Sequence, residues 1–171
     1  MLASSDRLIS PTRFHNSVHN APSGYWGIAT GSRAPCTSLC AFDWSFAAGL
    51  IEAATQVNTD HESVLLIAYD LPYPEPLRGA RPTRYPFASA LLITRRRTPR
   101  SAAACEIGSG AGAPSPMQDS NLEQLRRDNP AARSLPLLAA LAGGRDAGAG
   151  GSEVSIESTA GNTLGLSITP C

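Results

Sequence analysis

The amino-acid sequence predicts an α/β fold in which helices pack on at least one face of a mixed sheet. A continuous apolar run at residues 63–69 (SVLLIAY) is typical of a strand that is covered on both faces. Between Asp43 and Val57, apolar residues recur at helical spacing with small residues between them, which predicts a buried central helix. The strand and helix patterns alternate irregularly, and 171 residues suit a single domain, 1–171, with its own core.

The strands are predicted from runs of apolar residues, and the last two form a hairpin around Ala160-Gly161-Asn162. The predicted strands are Cys36–Ala41, Ser63–Tyr69, Phe87–Thr94, Ala102–Ile107, Glu153–Ser158 and Thr163–Thr169. In the first of them, Cys36 and Cys40 lie on the same face, where we expect them to be buried free thiols.

The remaining segments are predicted from capping and breaking residues. Two shorter helices, Asn121–Asp128 and Ser134–Ala142, each combine a capping residue with leucine spacing. Leu71–Pro86 contains five prolines and is predicted to be a loop. The stretches 108–116 and 143–151 are rich in Gly and Ala and are predicted to be flexible loops. Leu2–Ser10 is expected to be the tail of an element that begins upstream.

Composition excludes several classes of function. The formal net charge is zero, which argues against binding to nucleic acid or to an anionic membrane. All the basic residues are arginine, so no lysine is present for a Schiff base. Four cysteines without a C-x-x-C pair indicate reduced thiols, and three histidines do not suggest a metal site. No cofactor, metal, membrane span or signal peptide is expected, and the predicted location is cytoplasmic.

A family resemblance covers most of residues 10–169, and most of its motifs lie between Ser10 and Ala53. Its motifs are the turn NSVHNAPSG at 16–24, the Ala34-Pro35 step, the short strand 36–41 and the helix start DWSFAAGLIEA at 43–53. These motifs resemble the N-terminal half of β-ketoacyl-acyl-carrier-protein synthases, which have the thiolase fold. The chain is most similar to short ketosynthase-like proteins of the chain-length-factor type from aryl polyene and xanthomonadin-like pathways. The resemblance implies a thiolase-like half-fold that is truncated at its N-terminus.

In this family, the strand ends in a catalytic cysteine that opens the buried helix. Counting without gaps, that position falls on Asp43. A carboxylate there is expected to cap the helix by facing its free backbone N–H groups; an acid for proton transfer is the alternative. Cys40 lies three residues too early and would reach the position only through a bulge. The histidines that the family supplies from its C-terminal half have no counterpart, because no histidine follows His61.

Three hypotheses of function follow from the resemblance. The first is a non-catalytic, chain-length-factor-type subunit that pairs with an active ketosynthase, or with itself, and has no catalytic residue. The alternatives are a condensing enzyme that acts through Cys40 and a degenerate inactive fragment. Substrate or partner contacts are expected at His19, Asn20, Arg96 and Arg97, where the arginines would bind an acidic acyl carrier protein. A solvated turn is the competing interpretation for the arginines, and a self-bonded polar turn for His19.

Overall fold

The computed structural model describes residues 10–143 and 150–171. The chain forms two compact units, Met1–Cys40 and Ala41–Cys171. The predicted element at Leu2–Ser10 and most of the predicted loop at 143–151 lie outside the described residues.

The first unit contains two helices, α1 (Pro11–His15) and α2 (Ala21–Thr30). Helix α2 ends at Gly31, whose φ of 66° is the left-handed conformation that glycine adopts without strain. The predicted strand Cys36–Ala41 is wrong: no ladder pairs it in the part of the chain that the structure describes, and Cys36 and Cys40 are exposed. An apolar alternation produces a strand only where a neighbouring strand accepts its backbone hydrogen bonds.

The strands of the second unit form two antiparallel sheets. In the first sheet, β1 (Ser63–Asp70) pairs with β2 (Phe87–Thr94). The second sheet has the order β3-β5-β4. Its strands are β3 (Ala103–Ser109), β4 (Ser152–Thr159) and β5 (Asn162–Pro170). The predicted strands β1 to β5, including the closing hairpin, are confirmed to within two residues at their ends.

The three predicted helices of the second unit occur in the predicted order, and the predicted loop Leu71–Pro86 contains a further short helix. A 3-10 helix, Phe42–Trp44, leads directly into α3 (Ser45–Thr59). Further along lie α4 (Leu77–Ala80), α5 (Ser120–Asp128), a second 3-10 helix (Ala131–Ser134) and α6 (Leu135–Gly143). Helix α5 begins where the Asp119 carboxylate accepts hydrogen bonds from the backbone N–H groups of Asn121 and Leu122. Among the described residues, no helix has both the length and the apolar character needed to cross a membrane.

Helix α3 forms the centre of the core. Its buried side chains pack with the inner faces of β4 and β5 and with partly buried residues of β1 and β2, so both sheets contact it. The shared cluster consists of Phe46, Ala47, Leu50, Leu137, Val154, Ile156, Leu164, Leu166 and Ile168. The predicted burial of Phe46 and Leu50 is confirmed, whereas Ile51 is wrong, because it is 44% exposed.

The outer faces of the two sheets differ in character. The outer face of the β1–β2 ribbon is apolar and exposed, with Leu65, Ile67, Tyr69 and Leu92 between 42% and 70% exposed. The corresponding face of the other sheet carries polar residues such as Glu153, Ser167 and Thr169. The prediction that β1 is covered on both faces is therefore wrong in this structure: only one face packs on the core.

Candidate functional site

The chain makes a sharp turn as it enters helix α3. Phe42 has a φ of 54°, a left-handed conformation that is uncommon for a residue with a side chain. Ser45 holds the turn: its hydroxyl accepts a hydrogen bond from Ala41 N (2.9 Å) and donates one to Phe42 O (2.8 Å). Trp44 N closes the turn by donating to Ala41 O at 3.0 Å. The short sequence Ala41–Ser45 thus fixes the direction in which the Asp43 side chain leaves the backbone.

Asp43 forms ion pairs with two arginines. Its Oδ1 atom accepts a hydrogen bond from Nη2 of Arg81, and its Oδ2 atom lies 3.5 Å from Nη2 of Arg133. The predicted cap is wrong, because no side-chain hydrogen bond caps either the 3-10 helix or α3. Two guanidinium groups attract the carboxylate more strongly than the partial charges of the free N–H groups do.

The two arginines extend the cluster to other elements. Arg133 also pairs with the Glu157 carboxylate on β4. The guanidinium carbon of Arg81 lies 3.9 Å from the ring centroid of Phe42, which places a cation over the face of the aromatic ring. The head of α3, the proline-rich loop, the second 3-10 helix and β4 are therefore joined by one set of contacts around Asp43.

Asp70, at the end of β1, experiences the same charges. Burial raises the pKa of its carboxyl group above the ordinary value. The backbone N–H of Leu71 (3.1 Å from Oδ1) and the charge of Arg81 oppose that rise, while the charge of Asp43 adds to it. The positive charge of Arg81 therefore acts on two carboxylates, that of Asp43, with which it forms an ion pair, and that of Asp70.

Asn129 is a buried residue that links the end of β1 and the end of the proline-rich loop to the second 3-10 helix. Its side-chain N–H group donates to Tyr85 O (2.9 Å) and to Asp70 O (3.4 Å). Its side-chain oxygen accepts from the backbone N–H groups of Ala131 (2.9 Å) and Ala132 (3.2 Å). Sequence reasoning missed Asn129, although an Asn-Pro pair directly after a helix is a signal for a turn that an asparagine side chain organises.

The other predicted site residues do not form part of this cluster. Cys40 is exposed, at the end of the first unit. His19 and Asn20 are exposed in the turn before α2, where Asn20 O accepts a hydrogen bond from the Ser23 hydroxyl at 2.8 Å. Arg96 and Arg97 are exposed in the turn between β2 and β3. Within the described ranges, no three His, Cys, Asp or Glu residues are grouped closely enough to hold a metal ion.

The 3-10 helix that contains Asp43 and the central helix α3 belong to a ketosynthase-like domain. Residues 1–151 match the family model described as beta-ketoacyl synthase, N-terminal domain. The match covers well over half of the 171 residues, so the chain belongs to this family.

A solved structure has the same fold. It is the ketosynthase ApeO in complex with its chain length factor ApeC from Xenorhabdus doucetiae, and one of its chains matches with a TM-score of 0.62 and 24% identity. The alignment covers 96% of this chain and 59% of that chain, so this chain spans somewhat more than half of its structural relative. No curated protein matches the sequence. The predicted α/β, thiolase-like class of fold is confirmed by this likeness.

Proposed function

We propose that this chain is a non-catalytic, chain-length-factor-type subunit that pairs with an active β-ketoacyl synthase during acyl chain elongation. The observation that carries the proposal is Asp43 at the nucleophile position, held between Arg81 and Arg133. A condensing enzyme needs a thiolate there, because the growing acyl chain is carried as a thioester. A carboxylate cannot form that bond. The architecture of the site is kept, and its covalent chemistry is lost.

The structural relative supports the choice of partner. That structure contains a ketosynthase together with its chain length factor, and its fold matches this chain over 96% of the residues here. A heterodimer with a ketosynthase is therefore the assembly we propose, in a pathway of the aryl polyene type that the sequence motifs suggest. Self-association and an inactive fragment are the outcomes that the experiment below separates from it.

Condensation through Cys40 has less support. The thiol is exposed in an irregular segment, rather than at the start of a helix, where the helix dipole stabilises a thiolate. The C-terminal half of the sequence supplies no histidine that could assist a nucleophilic thiol, because His61 is the last histidine in the chain. We therefore do not assign a catalytic role to this cysteine.

Two measurements test the proposal: whether an acyl group is transferred to the chain, and whether the chain forms a complex with a ketosynthase. Incubation of the purified chain with acyl-carrier-protein donors should leave its intact mass unchanged, and Asp43→Cys should not give condensation with malonyl-carrier protein. A tagged chain co-expressed with a ketosynthase from the same genome should co-purify as a one-to-one complex in light scattering. The active ketosynthase serves as the positive control for loading.

Two results would overturn the proposal. One is an acyl thioester that peptide mapping places on Cys40 and that Cys40→Ser removes. The other is a chain that remains a monomer or a homodimer in the presence of every ketosynthase that its genome encodes. The second result, combined with no acyl loading, would support the inactive-fragment hypothesis instead.

We also propose that Arg96 and Arg97 contact an acidic carrier protein. Both are exposed in a short turn next to Arg95, so a concentrated positive charge faces solvent. Replacing both by Glu should weaken carrier-protein binding by about 10-fold at low salt, since exposed charge pairs contribute modestly and each reversal adds repulsion. Titration calorimetry of the ketosynthase complex at two salt concentrations measures this change.

The matched control reverses two exposed arginines in the first unit, Arg13 and Arg33. It changes the net charge by the same amount, so a loss of affinity that depends only on net charge would be equal in both variants. Equal losses would contradict a docking role for the turn.

A further inference from the structure

The proline-rich loop Leu71–Pro86 is folded back on itself. Asp70 and Phe87, which flank it, are paired residues of β1 and β2, so the two ends of the loop are adjacent. A compact loop whose ends meet and whose own side chains pack beneath it is an Ω-loop. Thr83 is the packed residue here, only 1% exposed. We call this segment the strap.

The base of the strap is fixed to the protein. The Asn129 side chain donates one hydrogen bond to Asp70 O, just before the strap, and another to Tyr85 O, close to its end. Asn129 is itself fully buried and is held by Ala131 N and Ala132 N. One amide group therefore ties both ends of the strap to the start of the second 3-10 helix, in addition to the pairing of β1 with β2.

The middle of the strap is fixed by a different contact. Arg81 follows α4, and its guanidinium group reaches the Asp43 carboxylate and the face of the Phe42 ring. The other strap residues are exposed to solvent, except Tyr73, which is half-buried, and Thr83, which is buried. Among the described residues, the strap also has an ion pair near its end, where Arg84 Nε lies 3.9 Å from the Asp128 carboxylate, and the contact of Arg81 with the head of α3 attaches its middle.

We propose that Asp43 is a positioning residue that latches the strap across the head of α3. The carboxylate receives Arg81 on one oxygen and Arg133 on the other, so it joins the strap to the second 3-10 helix. A cysteine side chain has one sulfur atom and no second acceptor with which to bridge two guanidinium groups. The acid at this position therefore has a structural task, which is to keep the strap closed over the place where a nucleophile would act. The inference goes beyond the proposed pairing and does not depend on it.

Limited digestion with trypsin tests the latch in the full chain. The strap contains cleavable bonds after Arg78 and Arg84, while Arg81 precedes Pro82 and is not cut. Digestion of a folded protein follows the population of the opened segment when opening is fast. Asp43→Asn should accelerate cleavage after Arg78 and Arg84 by about 5-fold, the order expected for loss of a partly exposed ion pair. Arg81→Gln, which also removes the contact with the Phe42 ring, should accelerate it by about 10-fold.

The control variant is Glu157→Gln. It neutralises the other partner of Arg133 and leaves the contact between Arg81 and Asp43 in place, so the strap should be cut at the wild-type rate. Cleavage after Arg95, in the turn that follows β2, is followed in the same digests and should not change. If that bond is also cut faster, the variant has lost stability as a whole, and the latch is not the cause.

The double variant Asp43→Asn/Arg81→Gln distinguishes a direct latch from two independent effects. Its acceleration should equal that of Arg81→Gln alone, because that change already removes the contact that Asp43→Asn removes from the strap. Should Asp43→Asn fail to fold, Arg81→Gln keeps the carboxylate paired with Arg133 and carries the test alone. Wild-type cleavage rates in both single variants, or accelerations that multiply in the double variant, would overturn the proposal.

Discussion

Replacing Phe46 by Ala is expected to lower the free energy of unfolding by about 3–5 kcal/mol, the usual range for a large buried aromatic side chain. Phe46 is 2% exposed and belongs to the cluster that contacts both sheets. The cavity would lie in the middle of the fold, where neither sheet can move inward without losing its contact with the other side of α3. The change is therefore expected to leave little folded, soluble protein.

Urea denaturation followed by circular dichroism measures the effect of Phe46→Ala. The matched control is Ile51→Ala on the same helix: Ile51 is 44% exposed, so its truncation should cost about 1 kcal/mol or less. Co-expression with a ketosynthase is expected to rescue part of the soluble yield of Phe46→Ala, because binding to the folded state stabilises it. A soluble Phe46→Ala protein with an unchanged melting temperature would contradict the assignment of α3 as the core helix.

Asn129→Ala is expected to have the second largest effect, a loss of roughly 2–4 kcal/mol. The substitution removes all of the hydrogen bonds that the amide makes to Asp70 O, Tyr85 O, Ala131 N and Ala132 N. Asn129 and its bonds to Ala131 N and Ala132 N are buried, so water cannot readily replace the lost acceptor there. Both ends of the strap and the start of the second 3-10 helix would be released together.

The control for Asn129→Ala is Asn162→Ala, at the start of β5. Asn162 is exposed, and its side-chain amide donates to the Thr159 hydroxyl at 2.8 Å, so its loss should cost about 1 kcal/mol or less. Hydrogen exchange reports the local effect: the amide of Ala131 should exchange faster in Asn129→Ala, whereas that of Ala132 keeps its 3.0 Å bond to the backbone oxygen of residue 129. Equal unfolding free energies for the two variants would show that the buried amide does not hold the strap.

Local sequence patterns predict most of the regular structure here. Strand β2 begins and ends where the run Phe87–Thr94 does, because its apolar alternation and its flanking proline and arginines are all local signals. The same holds for the hairpin around Gly161, whose φ of 78° needs the conformational freedom of glycine. Gap-free counting along the family motifs likewise identifies Asp43 as the residue at the head of the central helix.

The errors concern properties that depend on distant partners. Residues 36–41 have the composition of a strand but no described strand beside them, and Ile51 has helical spacing but faces outward. Arg81 is 38 residues from Asp43 in the sequence and lies in a loop with no regular pattern, so no periodicity links the two. A family motif gives the position of the acid, whereas its ion pairs exist only because the strap folds back.

The bare outer face of the β1–β2 ribbon affects how the protein behaves as a solute. Water wets that strip of leucine, isoleucine and tyrosine side chains poorly, and a two-stranded ribbon also leaves backbone groups at its edges ready to pair. A formal net charge of zero provides little mutual repulsion between molecules, so we expect this strip to promote association as the protein is concentrated. Adding charge at Leu92, the most exposed residue of the strip, is therefore the first change to make when the chain is prepared for experiments on its own.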